Sequence, residues 1–224
     1  NDKDLSVIKE KVNNKIMLEV KSPWNNQLID SIDLHDEDYI ERKLNEVSQV
    51  AKHKGADFPI VDRIKVLKTF KDKIERNIDN LARLATSEGG KPITDSIIEI
   101  KRGAEGVESC IEILKSDAGN VIPMNINAAS EGRIAFTQKE PIGVVLAISA
   151  FNHPFNLIIH QVIPAIATGC TVLVKPAEDT PLSCKKITEM LVESGLPSNR
   201  CHFLMPKTLE LATKLVSDKR IDFF

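Results

Sequence analysis

The chain has 224 residues, 42% of them hydrophobic and 28% charged, with 30 basic and 32 acidic side chains and a formal net charge of −2. That length and polarity suit one large or two small globular domains with a self-sufficient core, and they exclude a disordered or collagen-like chain. With no basic stripe, and with aromatic content at only 4%, neither nucleic acid nor a membrane surface is an expected partner.

The start, NDKDLSVIKE, is charged and lacks an apolar signal core, and no apolar run reaches the length of a membrane span. The first residue is Asn1, so the sequence reads as beginning inside a longer chain. Cys110, Cys170, Cys184 and Cys201 form no C-x-x-C pair and fit no common zinc or disulfide spacing. They are expected to be free thiols of a reducing cytoplasm, with no metal site.

In chain order, Ile16, Leu18 and Val20 alternate, Ser22-Pro23-Trp24-Asn25-Asn26 turns, and Leu28, Ile29 and Ile32 return, which predicts two short strands. Asp36 reads as a helix cap, with Ile40, Leu44, Val47 and Ala51 at helical spacing and Gly55 as the stop. From Pro59 a long apolar stripe through Ile64, Leu67, Phe70, Ile74, Ile78, Leu81 and Leu84 runs to Gly89-Gly90. A third helix is expected from about Thr94 to Lys115, stopped by Gly119. Residues 121–140 alternate more weakly around Asn127, Ser130 and Gly132, as an exposed hairpin arm would.

The last third alternates strand and helix. Ile142–Ile148 is a continuous apolar run, as in a strand buried on both faces. A helix over 156–168, a strand over 171–174, a helix over 181–194, a short strand over 202–204, a helix over 208–217 and a strand opening at Ile221 follow. This pattern predicts an α/β, doubly wound, mostly parallel sheet, covered by the N-terminal helices. Ligands of such sheets bind beyond the carboxyl ends of the strands.

Candidate chemistry lies at two of those ends. Asn152, in Ser149-Ala150-Phe151-Asn152-His153-Pro154, carries an amide that can donate to an oxygen becoming negative, or can serve as a plain helix cap. After the second strand come Lys175, Pro176, Ala177 and Glu178. Lys175 can donate to ribose hydroxyls and Glu178 can accept from them, and a carboxylate there would repel a 2′-phosphate, favouring NAD over NADP. A solvated loop with stray charges is the plainer reading. No G-x-G-x-x-G and no Walker-type glycine loop occurs. His153 reads as a polar helix-start residue, His160 as a satisfied core or interface histidine, and Glu88 and Lys91 as helix-end structure. Cys170 and Cys184 read as structural.

The stretch KEPIGVVLAISAFNHPFNLIIHQVIPAIATGCTVLVKPAEDTPLSC resembles the best-marked N-terminal block of the aldehyde dehydrogenase superfamily. EGGKPITDSIIEI is similar to that family's E-x-GKP helix turn, and SPWNNQLI and the SGLP element also fit. The resemblance covers essentially the whole chain. It implies that Asn152 is the side-chain donor of an oxyanion hole, that Lys175 and Glu178 hold the adenosine ribose, and that Ile148, Ser149, Ala150, Phe151 and Pro176 line the cofactor cleft. It implies that 1–224 is an incomplete NAD-binding domain interrupted by an oligomerisation hairpin at 121–140, which builds homodimers or homotetramers.

Phe151 stands where many members have Trp. The form F-N-H-P-x-N is similar to the branch with lactaldehyde, phosphonoacetaldehyde and non-phosphorylating glyceraldehyde-phosphate dehydrogenases, which implies a small polar or anionic aldehyde. The family's nucleophilic cysteine, general-base glutamate and second ribose carboxylate match no position of this chain. Met205-Pro206-Lys207 lacks the glycine often found after the third strand. A non-catalytic nucleotide-binding or assembly module therefore stands as the alternative.

Overall fold

The computed structural model describes residues 11–12, 15–54 and 57–224. The expected stop at Gly55 lies outside the described residues. Strands β1 (Lys11–Val12), β2 (Lys15–Lys21) and β3 (Leu28–Asp33) form an antiparallel sheet in the order β1-β2-β3. The turn between β2 and β3 closes through Ser22 N to Gln27 O at 2.9 Å, with Asn26 in the left-handed region at φ 58°. Asn tolerates that conformation better than other side-chain-bearing residues.

Helix α1 (Glu37–Ala51) starts where Asp36 Oδ1 accepts from Tyr39 N at 3.0 Å. The stripe from Ile64 to Leu84 is two helices, α2 (Ile60–Arg76) and α3 (Ile78–Gly89). The break falls at Asn77, whose side chain donates to Lys73 O at 2.8 Å while its own carbonyl starts α3 by accepting from Leu81 N. A short amide competing for the backbone in this way is the reason Asn is weak inside helices. Helix α4 (Ile93–Ser116) then runs to the arm.

In the arm, β4 (Val121–Ile122) pairs with β5 (Ala135–Phe136), antiparallel. The loop between them is held by Asn125 Oδ1 accepting from Gly132 N at 2.7 Å and by Ser130, which bonds to Asn127. Val121, Ile126, Ile134 and Phe136 stand exposed on it.

The parallel sheet consists of β6 (Val144–Ile148), β7 (Thr171–Lys175) and β8 (Cys201–Phe203), in the order β6-β7-β8. Helices α5 (Asn156–Thr168) and α6 (Pro181–Glu193) make the crossovers, and α7 (Leu209–Val216) follows β8. Phe223 then bridges Val145 in parallel, on the free side of β6. The chain thus builds outward from β6 to β8 and returns to the other edge of β6, the reversal of strand order that defines a doubly wound sheet.

Alternation along the strands sorts the core into two faces. Val144, Leu146 and Leu173 pack with Ile40, Leu44 and Val47 of α1 and Leu215 of α7. Val145, Ala147, Val172 and Val174 face α5 and α6, behind which α2, α3 and α4 form a further layer. Both faces being covered is why these strands are near-continuous runs of apolar residues. Among the described residues, no helix is long and apolar enough to cross a membrane.

Two points of this core lead to measurable consequences. Gly143 precedes β6 at φ 132°, and a Cβ there would run into the Asp222 carboxylate. That carboxylate accepts from Val144 N at 2.8 Å and ties the returning segment to β6. Gly143→Ala is expected to lower stability by about 1–3 kcal/mol for the backbone alone. An unchanged urea midpoint would show that the contact carries no weight.

The second point lies on β8. A depression of about 730 Å³ opens along its outer edge, where Lys43, Glu46 and His202 meet. His202 is buried, and its Nε2 lies 3.3 Å from Glu46 Oε2. Burial pushes its imidazole down from 6.5 to about 4, Lys43 pushes the same way, and Glu46 opposes them. An unfolded histidine takes its proton near 6.5 and the folded one only near 4, so stability falls as pH drops through that window. Unfolding free energies at pH 7 and pH 4 should differ less for His202→Gln than for the parent protein; equal differences would exclude this histidine as the source.

Candidate functional site

Register brings the ends of β6 and β7 together. Ile148 pairs with Lys175, and beyond the ladder Ser149 N donates to Lys175 O at 3.0 Å. Gln161 of α5 reaches back, its Nε2 donating to Ile148 O at 3.0 Å. The two exits therefore leave side by side at the carboxyl edge, while Phe223 joins β6 on its other side, nearer its start, at Val145.

The loop after β6 is tied down at several points. Ser149 is buried, and its hydroxyl donates to Ala150 O at 3.0 Å. Thr180, from the loop after β7, donates to Phe151 O at 3.2 Å. Phe155, at the start of α5, is buried. Between these anchors Ala150, Phe151, Asn152 and His153 are exposed.

Asn152 is not the cap of α5. The helix begins only at Asn156, and Glu99 of α4 supplies the capping oxygen. Glu99 Oε1 accepts from Phe155 N and from Asn156 N, each at 2.9 Å. Lys91 forms an ion pair with the second oxygen of this carboxylate, and His153 Nδ1 lies 3.7 Å from that oxygen. The plain-cap reading of Asn152 is thereby removed, and its amide is left at the surface.

The loop after β7 is built in the same manner. Lys175 is half-buried and donates to Pro176 O at 3.1 Å; Pro176 is buried and Glu178 exposed. Helix α6 then starts, and Glu88 accepts from Leu182 N at 2.7 Å and from Ser183 N at 2.8 Å. Burial pushes the Glu88 carboxyl up, and its bonds from Ser183 and Leu182 pull it partly back. Glu88 therefore caps a helix distant in sequence instead of ending its own. Sequence patterns hinted at such carboxylates only through position: Glu88 and Glu99 sit on the buried sides of α3 and α4.

These caps decide what the edge can bind. A free helix N-terminus is a ready anion site, but the starts of α5 and α6 already hold carboxylates. What remains open is an apolar rim of Ile148, Ala150 and Phe151, the amide of Asn152, and the Lys175 and Glu178 side chains. His160, expected in a core or interface, is exposed on α5.

The thiols take no part at this edge. Cys170, Cys184 and Cys201 are buried and Cys110 half-buried. Burial pushes Cys110 up, Cys184 well up and Cys201 up to about 12. Thiols in such surroundings are poor nucleophiles. Among the described residues, no group of three or more His, Cys, Asp or Glu side chains could hold a metal.

The aldehyde dehydrogenase family model matches residues 10–224. A 3-sulfolactaldehyde dehydrogenase from Priestia aryabhattai is 31% identical over 207 residues, which are 92% of this chain and 43% of that protein. Aldehyde dehydrogenase 21 from Physcomitrella patens, solved with the reaction product succinate, superposes with a TM-score of 0.87 at 29% identity, over 94% of this chain and 44% of that one. A glyceraldehyde-3-phosphate dehydrogenase from Methanocaldococcus jannaschii, solved with NADP, gives 0.84 at 25% identity, over 94% and 45%. The chain spans less than half the length of these relatives, and over that span it belongs to the aldehyde dehydrogenase family.

Proposed function

We propose that this chain supplies the oxyanion donor and the adenosine side of the cofactor cleft in an NAD-dependent dehydrogenase that oxidises a small polar or anionic aldehyde to its acid. The observation that carries the reading is the pairing of Ile148 with Lys175, which sets the Asn152 loop beside the Lys175–Glu178 loop at the switch in strand order. In this reading 1–224 is a cofactor-binding domain, and the 121–140 arm joins copies into dimers or tetramers. Four free thiols suit a reducing cytoplasm.

The residues fit a nucleoside. Ile148, Ala150 and Phe151 offer exposed apolar surface at the rim, and a neighbouring ammonium and carboxylate can donate to and accept from ribose hydroxyls. Ser149 and Pro176 shape the cleft floor from buried positions. Glu178 beside a 2′-hydroxyl would repel a phosphate in that place, which favours NAD. A bound nicotinamide cofactor would supply the hydride acceptor at this edge. Asn152 donates its amide N–H to the aldehyde oxygen as that oxygen gains negative charge, and it is preorganised because its loop is tied at both ends.

With three of its four thiols buried and the fourth half-buried, this chain by itself reads as a cofactor-binding module without turnover. The thiolate nucleophile and the water-activating glutamate come, in this proposal, from the portion of the relatives that the chain does not span. The small anionic substrate named for the Priestia relative, 3-sulfolactaldehyde, agrees with the proposed substrate class.

In the full-length enzyme, Asn152→Ala should lower kcat by about 10²–10³-fold with NAD affinity kept within about twofold. Unchanged kcat would remove Asn152 from the reaction. Glu178→Gln should weaken NAD binding by about tenfold, the scale of one charge-assisted hydrogen bond, while NADP binding holds or improves. Equal loss for both cofactors, measured by titration, would detach Glu178 from the ribose.

A further inference from the structure

We propose that Glu99, 56 residues before Phe155 in sequence, is the positioning residue for Asn152, an inference that rests on the oxyanion role proposed above. Glu99 lies on α4 at 2% exposure, a depth at which a carboxylate is kept only with partners. Its Oε1 takes both of the first free N–H groups of α5, from Phe155 and Asn156, and its other oxygen pairs with Lys91. A carboxylate at a helix N-terminus is also favoured by the helix dipole.

The same pair of helices locks Phe155 from the side. Gly103 is one turn along α4 from Glu99, and a Cβ there would sit 2.9 Å from the Phe155 ring. Phe155 is fully buried, so both its backbone N–H and its ring are fixed by α4. Phe155 is three residues from Asn152. On the other side, Thr180 holds Phe151 O, one residue from Asn152. The exposed amide thus hangs between two fixed points, and only one of them, the Glu99 contact, carries a charge.

Removing Glu99 takes away the acceptor that holds the first N–H groups of α5, with the Phe155 ring still packed on α4, and leaves the β6 side of the loop attached. The apolar rim and the Lys175–Glu178 loop stay in place, because their anchors are the sheet and Glu88. The change should therefore reach the chemical step through Asn152 and leave nucleotide binding alone. A displacement of order 1 Å in a catalytic group can cost about 10²-fold.

The test is a double-mutant cycle in the full-length enzyme. Glu99→Ala should lower kcat by about 10–100-fold, with KM and NAD affinity within about twofold. In the Asn152→Ala background the same change should cost less than about twofold, since the residue it acts through is gone. Equal cost in both backgrounds, or matched losses in kcat and NAD affinity, would overturn the positioning role. If Glu99→Ala fails to fold, Glu99→Asp, which draws the carboxylate back by one methylene, replaces it in the cycle: a kcat loss that vanishes in the Asn152→Ala background supports the role, and an equal loss in both backgrounds overturns it. Failure of the oxyanion reading shows separately, as an Asn152→Ala enzyme with undiminished kcat.

Discussion

Parallel pairing of β6 with β7, in register from Val144–Thr171 to Ile148–Lys175, is the constraint on which the site depends. A ladder of this kind fixes where both chains leave the sheet to within a residue, because a slip by one position would turn every apolar side chain to the wrong face. Here a slip would exchange Val145 and Ala147, which face α5 and α6, for Val144 and Leu146, which face α1. Both faces are buried, so the cost is misfit and not exposure: each side chain forced into a space shaped for another would cost roughly 1–3 kcal/mol. The core thus enforces a juxtaposition whose only polar consequences lie past its end, at residues 149–152 and 175–178.

The strand ends alone would leave two loops free to wander. What limits them is a pair of buried carboxylates from outside the sheet, Glu99 at α5 and Glu88 at α6. Each satisfies two N–H groups that a helix start otherwise leaves without intrahelical partners. Glu99 is balanced by Lys91, whereas Glu88, with its carboxyl pushed up, is held by backbone N–H groups. Both come from the helical layer formed by residues before the sheet begins. The first hundred residues therefore do more than cover one face: their polar side chains set the geometry of loops that follow much later in the chain.

This division explains what was legible in the sequence. Apolar runs at 142–148 and 171–174, rich in β-branched residues, with helical spacing between, identified the parallel strands and α5, because both signals arise from burial within one element. The α2–α3 break was not legible, since Ile74, Ile78 and Leu81 continue one apolar stripe across it and the cause is the Asn77 side chain turning onto Lys73 O. Whether Asn152 was a cap or a free amide was equally closed to reading, because the true cap, Glu99, is 56 residues from Phe155, on another helix. Long-range polar pairing has no period, so a glutamate on the buried side of α4 marks that a partner exists without naming it.

The filled helix starts also bear on the missing glycine fingerprint. In a glycine-rich dinucleotide fold, the turn after the first strand lets the backbone approach the pyrophosphate, which then rests on the next helix N-terminus. Here the turn after β6 is Ser149–Phe155, longer and without glycine, and the N–H groups at its end are spent on Glu99. Placing a phosphate there would set two anions against one helix end. The β6 loop is thus free to present a side-chain amide outward, and in the proposed reading nucleotide affinity on this part of the edge comes from apolar contact and the ribose pair instead of from phosphate. In the proposed reading such an edge suits a donor to a transient oxyanion better than a seat for a permanent anion, since the N–H groups behind the Asn152 loop already hold a carboxylate.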